Sequence, residues 1–487
     1  MRIVPTPKNV VSGEGRVELL PRVITVCDEL LPAARALSDY TKRIHSVELS
    51  VGEGGIVFSL DKSLSDEEYT LVTDEKGAAV KAGGAFGAHR AAATLLALMC
   101  YEDGAITLPV VTVSDKPDSE YRTLMVDLAR KWHPFETLFD YIDLCYLYKI
   151  RYFHIHFIDS QSYTLPSDAF PKMPTEGRHY TREEIRELNE YARSHGVEII
   201  PEMEVPGHAA AMVKAYPELF ADDLISENSV DTYSLFNAKE KLNIICAGKN
   251  GIMDTLKVLA EEIIEMFPYS KYLHIGGDEA KISDWENCRE CQRYMKEHSI
   301  GGVKALYTDF VRRVTDMVLS LGKTPIVWEG FPREGSEEIS RDVIVTAWES
   351  YYHLAPELLS EGFKITNASW QPLYCVPRGH RVVPEGRWFP SDIFNWSVYR
   401  WQNWNKKTAA YEKPIDVEPT DALLGATFCA WEDCYENDII PVKENLCAMS
   451  ERVWNVDYRC TEAEFTKAHA HMMSLADKLL SNKQSKN

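Results

Sequence analysis

The sequence predicts an α/β protein: a closed (β/α)8 TIM barrel preceded by a small α+β domain. Three observations lead there. From Tyr121 onward, short apolar strands alternate with helical segments, the pattern of parallel pairing through right-handed crossovers. Eight such units follow one another, the number that closes a barrel. Carboxylates and tryptophans recur just past the strands, where barrel active sites are built. An open doubly wound sheet is the competing arrangement. The chain has no GxGxxG after its first strand and no GxxxxGK[ST], so a nucleotide site has no support.

The small domain is read over residues 1–117. Val23–Cys27 and Gly55–Leu60 look like strands, and Tyr69–Thr73 with Ala78–Ala82 like a hairpin turned at Lys76-Gly77. Ala85–Tyr101 is apolar at helical spacing. The barrel is read over 118–460, with strands at Thr123–Asp127, Tyr152–Phe157, Glu198–Glu202, Tyr272–Ile275, Thr324–Trp328, Val343–Trp348, Lys364–Ala368 and Leu424–Cys429. Helices between them include Phe135–Tyr148, Arg182–His195, Ile252–Phe267, Val303–Leu321 and Val442–Val453. Residues 461–487 read as a helix and polar tail that either caps the barrel or joins a partner chain, as in a homodimer.

Composition narrows the function. Lys+Arg number 53 against 74 Asp+Glu, a net charge of −21, which argues against nucleic acid because phosphate contacts need Lys or Arg. With 45% hydrophobic and 26% charged residues among 487, the chain has the composition of a globular protein. No apolar run approaches the roughly 18 residues of a membrane span. The opening MRIVPTPKNVVSGEG, broken by Pro5 and Pro7, does not read as a secretory signal. Eleven cysteines without framework spacing suit reduced thiols, so a cytoplasmic location is expected. Cys288 and Cys291 form the one close pair. With no second CxxC or HxxxH to complete four ligands, they read as two thiols at a helix start, and no metal or cofactor is expected.

Polar and aromatic residues gather at the strand ends: Asp127 and Arg130, His156 and Asp159, Glu202 and Glu204, Asp278 and Glu279, Trp328 and Glu329, Trp348 and Glu349, Trp370 and Tyr374, then Trp431, Glu432 and Asp433. Carbohydrate sites are built this way, with sugar C–H faces on aromatic rings and hydroxyls on carboxylates. The sharpest signal is His274-Ile275-Gly276-Gly277-Asp278-Glu279, where two glycines permit a sharp turn that delivers adjacent carboxylates. Neighbouring carboxylates repel, so one is expected to keep a proton in a desolvated site and serve as a general acid beside an anion. The plainer reading is a strand-to-helix turn with Asp278 as its N-cap. His154 alternates with His156 on a strand and reads as a structural histidine.

Four ordered segments together resemble the family 20 glycoside hydrolases, the β-N-acetylhexosaminidases. They are Tyr121-Arg122-Thr123-Leu124-Met125-Val126-Asp127-Leu128-Ala129-Arg130, His154 to Gln161, His195 to Glu202 with Val205-Pro206-Gly207-His208, and His274 to Glu279. Gly84-Ala85-Phe86-Gly87 before an Ala/Leu-rich helix is similar to the small domain that precedes this family's barrel. The resemblance implies a retaining exo-enzyme that removes a terminal β-linked GlcNAc or GalNAc, with the substrate's own 2-acetamido group as nucleophile and an oxazolinium intermediate. It implies Glu279 as acid and base and Asp278 as the acceptor that orients the acetamido N–H. It further implies Arg122 on the outer hydroxyls, Asp159 and His208 as polar supports, Trp328, Trp348 and Trp431 as aromatic walls, and Tyr374 on the acetamido carbonyl.

Three positions depart from the family pattern. Ser160 stands where a second Asp is common, Val376 where an Asp contacts outer hydroxyls, and Asp433 where a Glu follows Trp431 by two residues. The groups around O4 and O6 are therefore altered. The insert Arg378–Trp404, with Arg378, Arg381, Trp388, Trp396, Trp401 and Trp404, is a candidate to rebuild that rim, its arginines suiting a modified sugar such as a 6-sulfated one. Two alternatives stand beside this reading: a catalytically silent sugar-binding barrel, and a metal-dependent hydrolase using His154, His156 and a carboxylate.

Overall fold

The computed structural model describes residues 3–221, 244–379, 383 and 385–482. In the small domain, Asn9–Glu18 runs antiparallel to Ala105–Asp115, which pairs with Tyr69–Asp74. The hairpin to Gly77–Ala82 follows, then the parallel Ile56–Leu60, Val23–Thr25 and Ser50–Val51. The long edge strand Asn9–Glu18 and Ala105–Asp115 beside it go beyond the sequence expectation; Asn9–Glu18 is mostly exposed and carries no apolar alternation. The helix Ala85–Leu98 is buried along nearly its whole length, which its alanines allow by close backbone approach. It stops at Leu98, short of the expected Tyr101, because Cys100–Glu102 turns back to pair with Ala105–Thr107.

The barrel strands are Tyr121–Asp127, Tyr152–His156, Glu198–Pro201, Tyr272–His274, Thr324–Trp328, Ile344–Ala347, Lys364–Asn367 and Leu423–Ala430, each parallel to its neighbour in chain order. The ring closes between the third and fourth strands through a bridge of Glu202 with His274. There Met203 N donates to His274 O (2.7 Å) and Val205 N to Ile275 O (3.0 Å). All eight strands sit at or within a few residues of their expected positions. Parallel strands covered by helices are buried on both faces, which is why they read as continuous apolar runs.

The interior is layered. At the N-terminal end Tyr121, Tyr152 and Tyr272 form a triangle, with ring centroids 5.2, 5.5 and 6.1 Å apart, among Ile200, Ile326, Ile344 and Leu424. This apolar plug closes that end. The C-terminal end carries Trp328, Trp348, Trp370, Tyr374 and Trp431 beside the polar strand ends. The short strand Tyr374–Cys375 lies along the eighth barrel strand, and Trp431 N donates to Cys375 O (2.9 Å).

Arg122 belongs to the other end, which corrects the expectation that it binds sugar hydroxyls. As the second residue of the first strand it is directed into the junction with the small domain. Its guanidinium donates to the carbonyls of Lys149 (3.0 Å) and Ser119 (2.6 Å), pairs with Glu67, and lies 5.2 Å from the Trp454 ring centroid. Burial opposes ionisation of Glu67, yet Arg122, Arg90 and Arg151 together hold its carboxyl well below the ordinary range. The helix Glu462–Ser481 packs across the same junction, with Arg43 Nη2 donating to Leu479 O (3.1 Å) and His471 Nε2 set against Ala97 O (2.9 Å). It thus caps the molecule's own domains.

Candidate active site

The fourth barrel strand ends at His274, and Ile275-Gly276-Gly277 turns the chain sharply to Asp278 and Glu279. Gly276 has φ +70°, and a Cβ there would stand 2.1 Å from a carboxylate oxygen of Glu204. The left-handed backbone favours glycine there, and a side chain would have to push the Glu204 carboxylate aside. Gly277 N donates to Glu204 Oε1 (3.2 Å). Glu279 itself is left-handed, with φ +44°.

The adjacent carboxylates face different surroundings. Asp278 is buried, its side chain 12% exposed, while that of Glu279 is 29% exposed. Burial pushes the Asp278 carboxyl above its ordinary value; His208 opposes this, and Glu279 and Glu202 add to it. Asp278 Oδ1 is buried with no hydrogen-bond partner, an acceptor left unused within the protein. Behind the pair, burial and the neighbouring Asp278 push the Glu204 carboxyl well above the ordinary range.

His208, left-handed at φ +49°, hangs over the pair from the Pro206-Gly207 turn. Its Nε2 lies 3.8 Å from Asp278 and 3.5 Å from Glu279, and its Nδ1 lies 3.4 Å from Asp159. Burial disfavours its charge, but Asp159, Glu279 and Asp278 outweigh it and hold the imidazole well above its ordinary value. Asp159 Oδ2 also takes Arg130 Nη2 (2.9 Å) and His156 Nε2 (3.0 Å).

Arg130 is the guanidinium of this end, where the resemblance had singled out Arg122. It spans Asp127 (3.1 Å) and Asp159 and lies 5.1 Å from the Trp431 ring centroid. The spacing Asp127-x-x-Arg130 just past a strand end is the signal that identifies it. Asp433 is corrected too. Its Oδ1 accepts from Cys434 N (2.8 Å) and Asn437 Nδ2 (2.7 Å), which commits it to the start of the helix Tyr435–Trp454. The carboxylate turned towards Arg130 is Glu432, 3.8 Å away and pushed up to about 7 mainly by burial.

Beneath the pair, Glu202 is enclosed. It meets His154 (3.0 Å), His156 (2.6 Å), His274 (3.0 Å) and the indole N–H of Trp328 (2.7 Å). Burial and Glu202 pull His154 and His156 opposite ways. Desolvation prevails at His154, pushed down to about 4, whereas Glu202 and Asp159 prevail at His156, pushed up to about 10. Trp328, anchored to Glu202 and 1% exposed, is floor rather than wall. Trp348 and Tyr374 are near-parallel at 6.1 Å and 10°, and Trp431 stands 6.2 Å from Tyr374. Glu329 fixes Trp348 by accepting its backbone N–H (3.2 Å) together with those of Ser350, Tyr351 and Tyr352.

The insert contributes unevenly. Trp388 and Trp404 pack on the aromatic cluster, whereas Trp396 and Trp401 enter the main core. Arg378 is exposed, and Arg381 lies outside the described residues. Val376 is buried in the cluster, so that part of the rim is apolar.

Two family models match the chain: glycosyl hydrolase family 20, domain 2, over residues 1–116, and glycosyl hydrolase family 20, catalytic domain, over residues 120–457. A curated relative, the beta-hexosaminidase of Vibrio furnissii, is 30% identical over 322 residues, covering 62% of this chain. The chain spans about half of that relative's length (51%). Beta-hexosaminidase subunit beta of Homo sapiens is 25% identical over 429 residues, covering 85% of this chain and 71% of its own. Among solved structures, a GH20 exo-β-N-acetylglucosaminidase from Vibrio harveyi in complex with N-acetylglucosamine has a TM-score of 0.82 at 23% identity, covering 99% of this chain and 78% of that one. At that identity the likeness is one of fold.

Proposed function

The chain belongs to glycosyl hydrolase family 20, and on that premise we propose that it is a retaining exo-β-N-acetylhexosaminidase acting through its substrate's acetamido group. The substrate is a terminal β-linked GlcNAc or GalNAc, plain or modified at C6. One observation carries the reading: a buried Asp278 with an unpartnered oxygen lies next to a more exposed Glu279, near Tyr374 of the aromatic cluster. A binding module has no need of that asymmetry.

In the first step the acetamido oxygen attacks C1, and the glycosidic C–O bond breaks. Glu279 gives its proton to the departing oxygen. Asp278 Oδ1 accepts the acetamido N–H and steadies the positive charge of the oxazolinium ion. Water then adds to C1 and returns a proton to Glu279, while the C1 bond to the acetamido oxygen breaks. Configuration is retained. His208 and Asp159 hold the pair in place. Tyr374 donates to the acetamido carbonyl, and Trp348 and Trp431 border the sugar. Arg130 takes the part first assigned to Arg122.

Glu279→Gln is the test. Turnover of an unactivated disaccharide should drop by about 10²–10⁴-fold with binding largely kept. Unchanged turnover removes Glu279 from the mechanism. We further propose a reducing, cytoplasmic location, supported by eleven cysteines with no disulfide among the described residues.

A further inference from the structure

The structure brings a third thiol to the Cys288/Cys291 pair. Cys246 lies 42 residues before Cys288, yet its Sγ is 3.3 Å from that of Cys288 and 3.6 Å from that of Cys291. All three are buried. Cys288 caps the helix Arg289–Glu297, and its sulfur accepts from Cys291 N (3.5 Å). The two segments meet backbone to backbone. A Cβ on Gly248 would stand 2.6 Å from Glu290 O and 2.7 Å from Cys291 Cα, so glycine alone allows the approach.

We propose that Cys246, Cys288 and Cys291 bind one zinc ion as thiolates, with water in the fourth position. Zinc–sulfur bonds of about 2.3 Å in a tetrahedron put the sulfurs about 3.8 Å apart. The observed separations are near that value and far from the roughly 2.05 Å of a disulfide, which would join two of the sulfurs and leave the third. Three thiolates and Zn²⁺ sum to −1. Two arginines serve this region: Arg313 donates to Ala247 O (2.9 Å) and Arg293 to Asn250 Oδ1 (2.9 Å). Thiolates favour zinc over the hard cations that carboxylates select.

The site has a structural task. Ile245, next to Cys246, donates to Pro206 O (2.9 Å) and accepts the indole N–H of Trp285 (2.9 Å). Pro206 leads to His208, and Trp285 follows Glu279 by six residues. The ion therefore ties the turn that carries His208 to the loop that carries the carboxylate pair.

The experiment is metal analysis of the full chain, purified under reducing conditions without chelator. About one zinc per chain is expected, released by a thiol-blocking mercurial. The Cys246→Ser and Cys291→Ser variants should lose it, and Cys27→Ser, at an exposed thiol, should keep it. Should the serine variants fail to fold, stripped wild-type protein reloaded with cobalt(II) should show thiolate-to-metal charge-transfer absorption. The proposal is overturned if the reduced protein neither contains nor takes up zinc, if zinc persists in the Cys246→Ser/Cys291→Ser double variant, if reloaded protein lacks the cobalt–thiolate band, or if a Cys246–Cys288 disulfide is found.

Discussion

Replacing each of the two arginines by methionine separates the two ends of the barrel. At Arg130 the change keeps volume but removes a cation that bridges Asp127 (3.1 Å) and Asp159 (2.9 Å) and faces Trp431. Removing one partner of a buried pair costs about 3–5 kcal/mol, because the other charge is left uncompensated. Asp159 would lose the cation that does most to hold its carboxyl below the ordinary range, and with it a fixed grip on His208. Displacing His208 by about 1 Å from the carboxylate pair should lower kcat/KM by about 10²-fold. Arg122→Met removes a cation from Glu67, but Arg90 (2.9 Å) and Arg151 (3.2 Å) still hold that carboxylate. Its stability cost should be about 3 kcal/mol, the lower end of the range. Among the described residues Arg122 meets Lys149, Ser119, Glu120, Glu67 and Trp454, all away from the C-terminal end, so kcat/KM of the folded enzyme should stay within about threefold, under 0.7 kcal/mol. Urea unfolding and steady-state kinetics on an aryl N-acetylglucosaminide measure both quantities. A sharp rise in KM for Arg122→Met with untouched kinetics for Arg130→Met would refute this division of the barrel's two ends.

Gly276→Ala should cost about 2–4 kcal/mol and most of the activity, since it combines a left-handed backbone with displacement of a buried carboxylate; unfolding and activity near wild type would refute the close-approach argument. Stability should also fall in alkali. His156 is raised to about 10 and His208 well above its ordinary value, so both bind protons more tightly when folded. Their contribution is complete below the ordinary imidazole value near ~6.5 and is lost as pH rises towards about 10. Urea titrations from neutral to alkaline pH should show this decline, and His156→Gln should make it shallower; parallel slopes would contradict the assignment.

What could be read from the chain follows from what is local. Strand and helix periods are short-range patterns, and all eight barrel strands were legible in them. Which end of a strand a residue serves is a matter of length. Tyr121–Asp127 spans about 20 Å at ~3.3 Å per residue, so Arg122 and Arg130, close in sequence, stand at opposite ends of the barrel. The rule that barrel chemistry sits past the strands favoured Arg130 from the start. Asp433 and Glu432 differ by one position, but the left-handed backbone at Glu432 (φ +63°) decides which of them faces Arg130, and no sequence pattern announces it. Cys246 had no motif to join it to Cys288. Asn9–Glu18, polar and exposed, lacked the apolar alternation that marks a strand.

The proposed mechanism requires the substrate to perform its own nucleophilic attack, positioned by Asp278. Hydrolysis of an aryl 2-acetamido-2-deoxy-β-glucoside set against the matching 2-hydroxy glucoside measures that directly. The 2-hydroxy compound should be slower by about 10⁴-fold or more, the scale of a lost intramolecular nucleophile. Comparable rates for the two would mean that some group of the protein attacks C1, and the roles given to Asp278 and Glu279 would not stand.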